Sequence, residues 1–410
     1  MTRYRYLVLA LLLATSYLAS GQITTTSAQA PPTSDEKQPI LFGTNVNLEG
    51  SSVSKGSETG LAVYQEDKDA KKKKKKRGEF AIAPIPLVNP SIGNGGGLAV
   101  VYAVHLDSDE TSPPSTFAAG GFYTEAGSWA GALGAKLYLG RDRFRITVGG
   151  GGGEFNYNFF GVGSSAGATG TSIPLSQHSH GFLIEPKMRF WGNWYAGPRY
   201  HIISSTVSLN SSTLDPGNLP IPLPSDVKLR TAAFGGRLQR DSTDNPFYPR
   251  GGSIFDLLGD LYGSAVGGNR TYQNVTVDYN KYFGVGSKNV LAIHGSTCLA
   301  TNKAPFYDLC LLGLSSDLRG YQIGQFRDNR MVVGQAEYRR DLFWRLGAVA
   351  FAGAGAVAHT WTDFGDTEAE PGGGFGLRFV LAKRNHINLR ADYAWGNNSR
   401  ASYISLGEAF

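Results

Sequence analysis

The stretch Ile387-Asn388-Leu389-Arg390-Ala391-Asp392-Tyr393-Ala394-Trp395 decides the fold. Ile387, Leu389, Ala391, Tyr393 and Trp395 alternate with Asn388, Arg390 and Asp392, a period of two that belongs to a β-strand. In a soluble sandwich the polar face of such a strand meets water and the apolar face meets a core. In a membrane barrel the apolar face meets lipid, and charges such as Arg390 and Asp392 point into a polar lumen. The pattern recurs upstream. Leu98, Val100, Tyr102, Val104 and Leu106 share one face; Phe144, Ile146 and Val148 alternate with Arg143, Arg145 and Thr147; Val275, Val277 and Tyr279 alternate with Asn274, Thr276, Asp278 and Asn280.

Composition and export decide between the two settings. Glycine is abundant (54 of 410 residues), aromatics reach 12% and charged residues only 18%, which suits many short, twisted antiparallel strands. Past the amino terminus no run approaches the roughly 18–20 apolar residues of a membrane helix, so a crossing must be made by strands. Arg3 and Arg5 precede an apolar core, Leu7 to Ala14, and small residues offer cleavage after Gly21 or after Ala30. Residues 1–30 therefore read as an export signal. No cysteine sits near either cleavage point, which argues against a lipid-anchored amino terminus. Residues 31–77, rich in Pro, Ser and Thr and then charged, read as a disordered periplasmic linker, and residues 78–410 as the folded domain. Its 333 residues (410 less 77), at about 21 per strand with turns and loops, make about 16 strands. The expected fold is all-β: a transmembrane antiparallel β-barrel, closed because lipid cannot satisfy a free strand edge.

The net charge of +6 is carried in good part by Lys71 to Lys76, capped by Arg77. That run lacks interleaved aromatics on a folded face, so it reads as a solvated tether beside anionic headgroups and not as a nucleic-acid site. Gly163–Ser179 and Ser208–Ser225 read as long extracellular loops, with His178-Ser179-His180 in or beside the first. Phe155, Tyr157, Phe159 and Phe160, and Phe190, Trp191, Trp194 and Tyr195, suit the aromatic girdles of a barrel. Phe410, after alternating Ile404 and Leu406, resembles the carboxy-terminal signal by which outer-membrane barrels are recognised for assembly; Glu408 departs from it.

Two local patterns go further. One is Arg240-Asp241-Ser242-Thr243-Asp244-Asn245-Pro246-Phe247-Tyr248-Pro249-Arg250-Gly251-Gly252; the other is Leu318-Arg319-Gly320-Tyr321, followed by a strand at Glu337-Tyr338-Arg339. In this order and spacing they resemble the BamA/TamA-type outer-membrane protein (bacterial surface antigen) family, well over residues 230–410 and by texture before that. The resemblance implies a 16-stranded barrel whose long loop, here about Asn302 to Asn329, folds back into the lumen. It also implies that Arg319 at the loop tip pairs with acidic groups on the inner wall. A guanidinium enclosed there needs a bidentate carboxylate, and an unpaired one would cost several kcal/mol. Gly320 lets the tip turn, and Tyr321 packs with a polar end. Candidate partners are Glu337, Asp363, Glu368, Glu370 and Asp392, with Glu337 and Asp392 favoured because both lie on the polar phase of their strands. The family often has an acid in a Phe-x-Asp-x-Gly strand, whereas here Phe351-Ala352-Gly353-Ala354-Gly355 puts Gly353 at that place. The Asp244, Pro246, Pro249 and Gly251 block reads as a rigid periplasmic turn. A second departure is the lack of room in residues 31–77 for the periplasmic POTRA modules that such proteins usually carry.

Cys298 and Cys310 lie twelve apart near the start of the proposed loop; export favours a disulfide that staples the loop base over two free thiols or a metal pair. His178 and His180 make a poor metal site, and Gly93-Asn94-Gly95-Gly96-Gly97 lacks the Lys of a phosphate cradle and reads as a turn. No His-Glu-x-x-His is present. A non-enzymatic barrel with no metal and no cofactor is expected, a monomer in the bacterial outer membrane in contact with its lipids. By resemblance it would insert or translocate protein or lipid, acting on unfolded outer-membrane proteins or other exported substrates. The alternative is a passive pore or structural barrel on the same scaffold, and a barrel enzyme comes last.

Overall fold

The computed structural model describes residues 23–28, 78–87, 92–106, 112–210, 227–301, 303–313 and 316–410. The Leu7–Ala14 core, the linker with Lys71–Lys76, and residues 211–225 of the second proposed loop lie outside them. Numbered along the chain, the strands are β1 (Ile23–Ala28), β2 (Gly78–Leu87), β3 (Gly95–Val104), β4 (Ser115–Thr124), β5 (Trp129–Leu139), β6 (Phe144–Phe159), β7 (Ile173–Trp191), β8 (Trp194–Leu209) and β9 (Val227–Asp241). They continue with β10 (Gly252–Tyr262), β11 (Tyr272–Val285), β12 (Asn289–Ala300), the two-residue β13 (Cys310–Leu311) and β14 (Arg327–Asp328), β15 (Arg330–Phe343), β16 (Leu346–Ala358), β17 (Glu370–Ala382), β18 (Ile387–Gly396) and β19 (Ser399–Leu406).

Sixteen of them, β2 to β12 and β15 to β19, form one antiparallel wall in chain order. Neighbours pair all the way from β2 round to β19, with β12 pairing β15 across the long loop and the register shifting at Arg189/Trp191, Asp341/Phe343 and Val380/Ala382. The barrel nearly closes. At the seam the edge of β19 pairs with β1, Ile23 opposite Leu406 and Ala28 opposite Ala401. Beside it, β2 carries Pro84 and Pro86, which have no N–H to donate. A strand with two such gaps is tolerated at an edge.

Alternation sorts the side chains. Phe80, Leu133, Phe234, Leu261, Leu377 and Phe375 stand exposed on the outer surface, where a membrane protein meets acyl chains. Arg145, Glu185, Lys187, Gln239, Asp256, Glu337, Arg378 and Arg390 are buried inside, most of them in ion pairs or hydrogen bonds with one another. Lys187 Nζ lies 3.1 Å from Glu185, Arg237 bridges Glu185 and Asp256 at 3.1 and 2.8 Å, and Arg145 sits between Asp142 and Asp241 at 2.7 Å each. The lumen is not polar throughout. Near the seam the inner faces of β2, β3 and β4 present Ala81, Ala83, Ile85, Leu87, Ala99, Val101 and Ala118, packed on Phe247, Ile387 and Leu406.

Three expectations need correction. His178-Ser179-His180 is not in a loop: β7 begins at Ile173, and the inward Ser179 Oγ lies 2.8 Å from that of Ser205 on β8. The loop before it spans only residues 160–172, with a short helix at Ser164–Ala168. The aromatic groups are split by the strand period. Phe190 and Trp191 are exposed, but Tyr195 is buried with the Arg145 guanidinium 3.7 Å from its ring, and Phe159 packs at 4.8 Å on Phe306 of the long loop. Finally, strand pairing stops at Leu406 and does not run on to Phe410. Gly407 adopts φ 93°, a turn that a side chain would strain, and sends the chain inward.

Candidate functional site: a loop locked inside the barrel

The loop between β12 and β15 is held first at its base. Cys298 on β12 and Cys310 on the loop form a disulfide, with 5.7 Å between their Cα atoms. Beside it the Tyr272 hydroxyl donates to Asp308, whose carboxyl burial pushes up to about 6. Closing a loop of this separation stabilises by about 3 kcal/mol in the chain-entropy account. Replacing both cysteines with serine should therefore speed proteolysis within residues 303–313, and dithiothreitol should do the same to the wild type. Equal cleavage rates in all three samples would show that packing alone holds the loop base.

From there the loop runs to its tip through an apolar cluster of Leu312, Leu318, Tyr321 and Phe326 against Met331, Val333 and Val357. At the tip Arg319 is fully buried. Its Nη2 lies 2.6 Å from Glu337 Oε2 on β15, its Nη1 donates to Asp392 Oδ2 on β18 at 2.6 Å, and its Nε donates to Gln335 at 3.2 Å. The Phe351 ring lies 3.4 Å from the guanidinium carbon, closing the remaining face with a cation–π contact. Of the five acids weighed from the sequence, Glu337 and Asp392 touch Arg319. Glu370 instead accepts from the Tyr321 hydroxyl at 3.2 Å, while Asp363 is tied to Thr360 in an outer turn and Glu368 is exposed. Gln335 is an unforeseen partner. It stands opposite Gly353 in the β15–β16 register, so the place without an acid is served by a side chain from the neighbouring strand.

The backbone seats the tip as closely as the charges do. Gly320 N–H donates to the Tyr403 hydroxyl at 2.8 Å, and Tyr321 accepts from Asn397 N–H at 2.9 Å. Around Arg319 the network widens. Arg339 Nε donates to Glu337 at 2.7 Å, Arg378 Nη1 to Asp392 at 2.5 Å and Arg378 Nε to Glu408 at 2.7 Å. Arg390 Nε lies 3.6 Å from Asp392. Four guanidiniums thus share three carboxylates in a space closed to water.

The turn between β9 and β10 is more than a connection. Asp244 accepts from Arg250 N–H at 2.9 Å, and Asn245 accepts from Phe247 and Tyr248 N–H at 2.8 and 3.0 Å, fixing the bend around Pro246. Pro249 is buried and Gly251 precedes Gly252, the position with φ 87°. The bend tucks Phe247 against the inner face of β2 and stacks Tyr248 on His386 at 4.0 Å, under the lock. Phe410 lies inside the barrel, its ring 5.1 Å from that of His294. No group of metal-ligating side chains occurs among the described residues.

Residues 223–410 match the Omp85 superfamily domain. No curated protein matches the chain in sequence. Among solved structures, BamA from Haemophilus ducreyi lacking POTRA domains 1–3 is similar in fold, with a TM-score of 0.52 and 15% identity, over 80% of this chain and 70% of that one. CdiB from Escherichia coli is similar with a TM-score of 0.55 and 11% identity, over 81% of this chain and 63% of the other. The chain thus spans roughly two thirds of the length of these two relatives. Residues 223–410 thus match an Omp85 superfamily domain, and the sixteen-stranded wall shares its fold with the two solved structures.

Proposed function

We propose that this chain is an outer-membrane barrel that inserts or translocates protein, working at the seam between β2 and β19. The observation that carries the reading is the seam itself. The β19 edge is taken up by six residues of β1, and its neighbour β2 holds two prolines, in a wall otherwise fully paired. An edge that can exchange one strand for another offers an incoming chain a backbone template. The locked loop supports the same reading, because it ties β15 to β18, the neighbour of the edge strand, and reaches β19 itself through Tyr403. Lipid in contact with the outer face and a monomeric state belong to the proposal. So does export through a cleaved signal: cleavage after residue 21 keeps β1 on the mature chain, and cleavage after residue 30 removes it and leaves the β19 edge open.

The test is reconstitution of the mature chain into liposomes, following the insertion of a second, unfolded barrel with Arg319→Ala alongside. Faster insertion by the wild type and not by the variant supports the proposal. Ion conductance by both without any acceleration would make this a passive pore on the same scaffold.

A further inference from the structure

The segment that follows the last strand is bound as a ligand would be. After the turn at Gly407, Glu408, Ala409 and Phe410 are all buried inside the barrel. Glu408 accepts from Arg378 Nε at 2.7 Å and from Asn388 Nδ2 at 2.6 Å, with Arg339 Nε at 3.8 Å. The Phe410 carbonyl accepts from Arg339 Nη2 at 2.7 Å. The Phe410 ring fills an apolar cage of Tyr248, Tyr282, Val290 and Ala292 and lies against His294. The segment leaves β19 and is held by side chains of β11, β12, β15, β17, β18 and the β9–β10 turn. It ties the strand at the seam to the far side of its own carboxy-terminal sheet.

The two arginines that hold it are not free for that task alone. Arg339 also donates to Glu337, and Arg378 also donates to Asp392, the two carboxylates that bind Arg319. The loop tip meets β19 a second time through the Tyr403 hydroxyl. We infer that Gly407–Phe410 is an internal latch: an acidic–small–aromatic segment bound in cis by a lumen site, which keeps β19 in place and is released when Arg319 leaves its seat. If Arg319 departs, Glu337 and Asp392 lose a cation and draw Arg339 and Arg378 more fully to themselves. Glu408 and the Phe410 carbonyl then compete for weakened donors. The site would accept the same sequence from another chain, a peptide with a carboxylate two residues before an aromatic ring. The consequence for insertion rests on the function proposed above, but the latch does not.

Hydrogen–deuterium exchange of the folded chain in nanodiscs tests it without any substrate. Glu408→Gln and, independently, Phe410→Leu should speed exchange across Ser399–Leu406 by about tenfold or more, since each loses a charged or fully packed contact, while β6 to β8 keep their protection as the check on folding. Adding a peptide ending Gly-Glu-Ala-Phe to the wild type should likewise speed that exchange, because a free segment takes the site without tethering β19. Arg319→Ala should open the same strand, and the double variant with Glu408→Gln should be little faster than the faster single one, because the arginines are shared. Unchanged exchange in both single latch variants overturns the latch. Effects of Arg319→Ala and Glu408→Gln that simply multiply overturn the coupling to the loop. Neither result depends on whether the liposome assay succeeds.

Discussion

Arg319→Ala should lower the thermal unfolding midpoint of the barrel by on the order of 10 °C, read as the temperature at which its folded band is lost in gel-mobility assays. The expectation follows from what the change leaves behind. Removing one member of a buried ion pair costs about 3–5 kcal/mol, chiefly because the partner stays buried without its counter-charge. Here two carboxylates are stranded, Glu337 and Asp392, each at 2.6 Å from the guanidinium. Arg339 and Arg378 soften the loss, since each already contacts one of the two acids. A loss at the lower end of that range shifts the midpoint of a domain of this size by about 2–4 °C per kcal/mol. Arg319→Lys should fall in between. Its point charge can satisfy one carboxylate but cannot serve Glu337, Asp392 and Gln335 at once while lying flat on Phe351. A midpoint within a degree or two of wild type for the alanine variant would mean that the disulfide and the apolar cluster hold the loop unaided.

Much of this lock was legible in the sequence, for physical reasons that also mark the limit. Asp392 sits in the polar phase of Ile387–Trp395 and Glu337 in that of β15, so a strand period alone points both inward. The loop, which the resemblance put at about Asn302 to Asn329, lies between the end of β12 at Ala300 and the start of β15 at Arg330. Gln335 could not be found that way, since its role depends on standing opposite Gly353 across two strands. Nor could the inward turn of Glu408. Read as a strand, Tyr403–Phe410 alternates plausibly; only the partner, Arg378 thirty residues earlier, explains why the chain leaves the wall at Gly407. At the first strands the period holds, but the expectation of a polar lumen does not. The period gives the inner face of β2 and β3 as alanine and valine, which a polar lumen does not ask for, and nothing local announces that Phe247 arrives from the β9–β10 turn to cover them.

The same logic predicts that Gly320→Ala, which removes no charge at all, will unseat the loop as severely as Arg319→Ala. Gly320 holds φ 121°, a conformation that side-chain-bearing residues rarely adopt. A methyl group there would lie 2.6 Å from the carbonyl carbon of Trp395, 2.7 Å from its oxygen and 2.8 Å from Gly396 N. These are backbone atoms of a wall strand and cannot rotate aside. The wall is cut away to match. A Cβ at Gly372 would lie 2.5 Å from the Arg319 carbonyl oxygen, and one at Gly396 would lie within 2.7 Å of the Tyr321 ring. The tip must therefore back out, and a shift of an ångström or so breaks both 2.6 Å contacts of Arg319 and the Gly320–Tyr403 hydrogen bond together. The unfolding midpoint of Gly320→Ala should match that of Arg319→Ala. The double variant should be no worse than either, since both remove the same seated tip. Additive losses would instead show that the glycine and the arginine stabilise the barrel by separate routes, and that charge and close backbone approach are not one device.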